Sequence, residues 1–141
     1  MRHYLWLLCL VILSCSKNPE EFVPHLEGYW EIESVTMPTG DKKEYKFSDT
    51  VDYIHLDQDS LKGYRKKLKP GINDTYFTSD DAEKLILKIE NDSLNLYYST
   101  PYDNWKETIL DASSESLKVI NKNKIVYLYK RYTPIQLDVE E

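Results

Sequence analysis

Hydrophobic and polar positions alternate with a period of two through much of the chain. Leu85, Leu87 and Ile89 interleave with Ile86 and Lys88, Leu94, Leu96 and Tyr98 with Asn95 and Tyr97, and Leu117 with Val119 across Lys118. Such a period turns one face of a strand to a core and the other to solvent. It predicts strands near 28–37, 51–57, 60–68, 74–78, 84–90, 93–99, 105–112, 115–120 and 124–132. The breaks between them carry turn chemistry: Asp57-Gln58-Asp59, Pro70-Gly71, Asn91-Asp92, Pro101-Tyr102-Asp103-Asn104, Ser113-Ser114 and Asn121-Lys122-Asn123. No window of helical length holds an apolar stripe at period 3.6, and Thr78 to Lys84 has room for one helical turn at most. Eight or nine short strands joined by tight turns predict an all-β fold, an antiparallel up-and-down meander closed into a barrel or folded as a sandwich. Closure has the advantage of leaving no long unpaired edge.

The alternation is absent at the start, where Arg2 precedes an uninterrupted apolar run from Tyr4 to Leu13. A run of about ten residues is too short to span a bilayer as a helix and reads as a cleaved export signal. It ends in Ile12-Leu13-Ser14-Cys15, and the chain turns polar at once with Lys17, Asn18, Pro19 and Glu20-Glu21. The tetrad resembles the lipobox of bacterial lipoproteins, with Ser14 and Cys15 in its pattern and Ile12 and Leu13 as variants. That resemblance implies cleavage before Cys15, a diacylglyceryl thioether on its sulfur and usually a third acyl chain on the new amino terminus. Two or three buried chains make attachment stable where one does not. The expected organisation is a cleaved signal helix at 1–14, lipidated Cys15 with a flexible tether at 15–25, one β-domain at 26–133 and a tail at 134–141. In Gram-negative lipoproteins a serine after the acylated cysteine, here Ser16, generally accompanies sorting to the outer membrane, so the expected location is that membrane, in its periplasmic or surface leaflet.

Loss of the signal removes Arg2 and Cys9, while Cys15 is consumed by lipid, so no disulfide is available to the mature domain. It leaves 17 basic against 24 acidic side chains, a net charge of −7. That balance argues against nucleic acid as a partner and against anionic lipid binding by the whole surface. About 115 residues follow the tether, enough for one domain with one core.

The first strand opens Leu26-Glu27-Gly28-Tyr29-Trp30, and the last ends Lys130-Arg131. A Gly-x-Trp opening with a basic pair on the final strand resembles the lipocalin-like group of calycin barrels. The resemblance implies that Trp30 floors the barrel, that Arg131 stacks on it, with Lys130 in that role if the register shifts by one, and that Gly28 lets the chain pass closely beneath. Thr133-Pro134 is expected to interrupt the final strand, and Ile135 to Glu141 to be too short for the long helix that follows the barrel in secreted lipocalins. The closer similarity is therefore to compact lipocalin-like domains of small bacterial lipoproteins.

Candidate chemistry is sparse. No Gly-rich phosphate loop or Gly-x-Ser-x-Gly elbow occurs, and the expectation is no catalytic residue, no cofactor, no metal and no enzymatic activity. His55, Asp57 and Asp59 could form a weak divalent site, against the plainer reading of an exposed strand end running into a polar hairpin. Asp80-Asp81 and Glu140-Glu141 are adjacent pairs suited to solvated loop and tail. The run Lys62, Arg65, Lys66, Lys67 and Lys69 is the one basic contrast, either steering an anionic headgroup, lipopolysaccharide or an acidic partner, or protecting an edge strand. Tyrosine is abundant, 12 in the chain. If the barrel holds a ligand, the inward members of Tyr53, Tyr64, Leu87, Leu96, Tyr98, Tyr127 and Tyr129 line it. Two functions follow: a membrane-anchored binding protein holding a small, partly apolar ligand in its barrel, or an interaction or accessory subunit of an outer-membrane assembly with a filled barrel.

Overall fold

A computed structural model describes residues 17–134. The export signal, Cys15 and residues 135–141 lie outside the described residues, and with them the expectations about cleavage, acylation and the tail.

Ten strands follow one short helix: β1 (Gly28–Thr36), β2 (Lys42–Glu44), β3 (Val51–Asp57), β4 (Lys62–Pro70), β5 (Tyr76–Thr78), β6 (Glu83–Glu90), β7 (Ser93–Ser99), β8 (Asn104–Ala112), β9 (Ser116–Asn121) and β10 (Val126–Arg131). Eight of them close an antiparallel barrel in the order β1, β3, β4, β6, β7, β8, β9, β10, and β10 pairs back onto β1. The short β2 and β5 add to β1 and β4 from outside the ring. The fold is the all-β barrel that the alternation predicts, with most strand ends within two residues of expectation. β2 escapes the sequence pattern because all three of its residues are exposed, which leaves no alternation to detect.

Local chemistry fixes the register. Asn91 and Asp92 form a two-residue loop with φ of 50° and 60°, the left-handed pair whose twist matches that of the flanking strands. β8 shifts register on β9 between Ile109 and Asp111. This bulge leaves Leu110 43 % exposed while Ile109 and Ala112 are both buried, so the inward parity changes part-way along the strand. A second shift, between Ile32 and Ser34 of β1, does the same beside β10.

The expected flexible tether is ordered from Pro19 onward. Pro19–His25 is a 3-10 helix capped by Asn18, whose side chain accepts from Glu20 N, and it buries Phe22 and Val23. A proline at the first helical position costs nothing, because its missing N–H would have no partner there. The core gathers Phe22, Leu26, Trp30, Leu85, Leu94, Leu96 and their neighbours into one cluster, every member of which lies between Phe22 and Tyr129. The helix packs against β7 and β8 and closes one end of the barrel.

Candidate functional site

At the closed end, Trp30 is 1 % exposed, and its Nε1 donates to Leu26 O at 2.9 Å. Register pairs Trp30 with Arg131 and Glu31 with Lys130, so Arg131 is the cation over the indole, its Cζ 3.7 Å from the ring centroid. Its guanidinium donates three hydrogen bonds to carbonyls: Nε to Ser114 O at 2.9 Å, Nη1 to Glu27 O at 2.7 Å and Nη2 to His25 O at 2.9 Å. Burial draws the Arg131 pKa down, and these acceptors together with the indole face keep the charge solvated. Gly28 holds φ of +123°, and a Cβ there would lie 2.5 Å from Arg131 Nη1. The floor thus needs a residue without a side chain at that position.

The other end is charged. Arg65 is buried, its Nε donates to Glu83 Oε2, and its Nη1 lies 3.5 Å from Glu107 Oε2. The guanidinium also stacks on Tyr98, 4.2 Å from the ring centroid. Beside it, Lys67 Nζ donates to the buried Asp52 Oδ1 at 2.8 Å. Burial pushes the Glu107 carboxyl above the usual carboxylate range, against the pull of Arg65, and pushes the Tyr98 and Tyr129 hydroxyls up as well. No buried side-chain nitrogen or oxygen among the described residues lacks a hydrogen-bond partner.

These side chains occupy much of the barrel. The space left among Trp30, Ile54, Arg65, Tyr98 and Glu107 amounts to about 10 Å³. Beside it, a pocket of about 220 Å³, open at the mouth, reaches down to Trp30 between Ile32, Tyr127 and Tyr129 on one side and Asp52 and Lys67 on the other. A broader surface cleft of about 620 Å³ runs where β4 parts from β6, between Lys67 and the 79–84 segment.

Of the seven residues expected to line a ligand, Leu87, Leu96 and Tyr98 are buried in the core, with Tyr127 and Tyr129 packed against it. Tyr53 and Tyr64 are not inward. Asp52 and Ile54 face the interior from β3, as Arg65 does from β4, so alternation turns Tyr53 and Tyr64 outward. There they join an aromatic array with ring centroids 4.7 Å apart for Tyr29 and Tyr53, 4.9 Å for Tyr29 and Tyr76, and 6.2 Å for Tyr53 and Tyr64. His55 Nδ1 lies 3.5 Å from Glu27 Oε2, while Asp57 Oδ1 accepts from the amides of Asp59 and Ser60. Those amide bonds, chiefly that of Asp59, hold the Asp57 carboxyl below its usual value. Among the described residues no group of three His, Cys, Asp or Glu could hold a metal ion.

Sequence reasoning missed the buried charge cluster. Arg65 sits in a run that reads as an exposed basic hairpin, and its partners Glu83 and Glu107 come from β6 and β8. The signal available was weak: Glu107 falls at an inward position by its parity with Ile109.

Comparison with known proteins agrees with this architecture. No curated protein sequence matches the chain. A crystal structure of a lipocalin-like protein from Bacteroides uniformis superposes with a TM-score of 0.50 at 9 % identity, over 77 % of this chain and 99 % of that one. A family model for the lipocalin-like domain matches residues 26–119, a span that runs from the Trp30 floor through the charged interior to β9. With its eight-stranded ring, this chain belongs to the lipocalin-like domain family.

Proposed function

We propose that the protein is a non-enzymatic, lipid-anchored binding module of the bacterial outer membrane, which engages a protein partner through its outer surface and keeps its barrel filled. The carrying observation is the volume left inside the barrel, about 10 Å³ beside Arg65 and Glu107 and about 220 Å³ in the open pocket that reaches Trp30. Pockets for small molecules run to about 300 Å³ and above, whereas the first of these spaces suits about one water and the second falls below that range. A larger, partly apolar ligand inside the barrel would have to displace Arg65, Glu107 and Tyr98. The outer array of Tyr29, Tyr53 and Tyr76 supplies the kind of broad amphipathic rings that interfaces favour.

Anchoring rests on the lipobox-like tetrad and on Ser16. Cys15→Ala is expected to abolish incorporation of labelled palmitate, and persistent acylation in that variant would contradict the assignment. The partner surface is tested by placing a photo-crosslinking residue at Tyr53, Tyr76 or Tyr129 in the acylated protein in cells. The expected result is a discrete protein adduct from positions 53 and 76 and none from 129. A small-molecule adduct from position 129 without a protein adduct from the outer positions would overturn the reading. It would favour a second use, carriage of a small ligand in the 220 Å³ mouth, where Asp52 and Lys67 meet Tyr127 and Tyr129.

A further inference from the structure

The outward positions of β4, β6 and β8 carry Lys62, Lys66, Lys84, Lys88 and Lys106, with Tyr97 of β7 between them, in a chain whose net charge is −6. Above the β8 bulge, the carboxylate at the outward positions of these strands is Glu90, which accepts from the Tyr97 hydroxyl at 2.6 Å, while Asp57 of β3 lies opposite Lys62 and Asp80 and Asp81 border Lys84. Strand register assembles the lysines into a patch, setting Lys84 opposite Tyr64, Lys62 opposite Ile86, and Tyr97 opposite both Ile86 and Lys106. None of the five takes part in a salt bridge among the described residues. Lys66 lies 5.8 Å over Tyr64, and Lys88 lies 5.0 Å over Tyr97.

Edge protection accounts for only part of this clustering. Lys62 and Lys84 sit where their strands are paired on both sides, whereas Lys66, Lys88 and Lys106 lie on stretches of β4, β6 and β8 that are paired on one side only. Lys62 and Lys84 therefore guard no open edge. Between them lie Ile86, 43 % exposed, and the half-buried Tyr97. Long cationic side chains around an aliphatic and an aromatic residue suit the boundary between lipid headgroups and water.

The chain enters the barrel at its closed end, beside β8. Lys17 Nζ bonds Asp111 Oδ1 of β8 at 2.6 Å, and the helix that follows packs against β7 and β8. Two residues extended span about 7 Å at most, so lipid on Cys15 would hold the β7–β8 side of the barrel close to the headgroups. We propose that the basic outer face of β4, β6, β7 and β8 docks on the anionic phospholipid surface of the membrane to which the chain is tethered. The attraction is local, acting within a Debye length of about 8 to 10 Å, while the acidic remainder of the surface is repelled. The two together fix which side of the barrel faces the lipid. This orientation rests on the proposed acylation of Cys15; the affinity of the face for anionic lipid does not.

The test uses the mature-length chain, residues 15–141 with Cys15→Ser, so that no acyl chain contributes. It is sedimented with vesicles of phosphatidylethanolamine containing about 30 % phosphatidylglycerol, and separately with pure phosphatidylcholine, in low salt. Binding is expected to the first and not to the second, and to be lost at about 0.5 M salt. Each Lys→Gln substitution on the face is expected to weaken partitioning by about fivefold. The combined variant Lys62→Gln, Lys84→Gln, Lys88→Gln, Lys106→Gln is expected to abolish it. A control of equal net charge, Lys42→Gln, Lys43→Gln, Lys118→Gln, Lys122→Gln, is expected to retain it. Unchanged near-ultraviolet circular dichroism certifies that both variants are folded. No binding of the natural sequence to the anionic vesicles, equal losses in the two variants, or capture of an acidic protein in place of lipid would overturn the proposal. Palmitate labelling of the full chain reads the anchor separately, so failure of one is distinguishable from failure of the other.

Discussion

The two ends of this barrel seat a cation against an aromatic ring in opposite ways, half-buried at the floor and buried toward the mouth. At the floor, Arg131 lies on an indole and satisfies three backbone carbonyls without any carboxylate. Toward the mouth, Arg65 is held by two carboxylates and a phenol ring. The floor arrangement costs little, because backbone carbonyls are already dehydrated where the chain packs. The mouth arrangement requires three ionisable groups to be removed from water together, which is seldom a net gain in stability over an apolar core. Its consequence is occupancy: the cluster stands where a ligand cavity would otherwise open.

The largest expected effect is at the floor. Trp30→Ala removes a fully buried ring, the Nε1 bond to Leu26 and the platform for Arg131, and is expected to cost about 4 to 5 kcal/mol in urea unfolding. Next comes the mouth, where Arg65→Met leaves Glu83 and Glu107 without their cation and should cost about 3 kcal/mol. Adding Glu107→Leu to that variant is expected to recover most of the loss. If the double variant is no more stable than the single one, the cost does not lie in an unpaired carboxylate, and the contrast between the ends fails. A smaller loss, about 1 to 2 kcal/mol, is expected for Arg131→Lys, which keeps the charge but cannot reach three carbonyls from one planar group.

The smallest effect is a pH dependence confined to the mouth. Because burial raises the Glu107 carboxyl, its ionisation opposes folding. Its favourable contribution is complete below the ordinary glutamate range and is lost as pH rises through the elevated value. Glu107→Gln should flatten that part of the stability profile by about 1 kcal/mol or less. Urea midpoints collected from pH 4 to pH 8 check the sign.

The ends also differ in how far the sequence discloses them. Trp30 and Arg131 lie at the extremities of the two strands that close the ring, each inside a short local motif, so neighbouring residues identify both. Arg65 lies in Tyr64-Arg65-Lys66-Lys67, where polar residues fill both faces and no alternation reveals which is inward. Its partners are distant in sequence and meet it only through barrel closure. The same parity problem concealed the outward direction of Tyr53 and Tyr64, since tyrosine suits either face of a strand. The apolar pair Phe22-Val23 reads as part of a tether because Pro19 and Pro24 flank it, although Pro19 is what starts the plug helix. Strand number and order were accessible because turn residues and period-two runs are local features. Side-chain occupancy of the interior is a property of the closed ring.

The central claim is that the barrel is filled by its own side chains. Native mass spectrometry of the chain purified from a bacterial expression host tests it most directly. The account predicts a mass equal to that of the covalent polypeptide, unchanged on denaturation. A stoichiometric small molecule that dissociates on denaturation, and is lost from the folded Tyr129→Phe or Glu107→Gln variant, would contradict it.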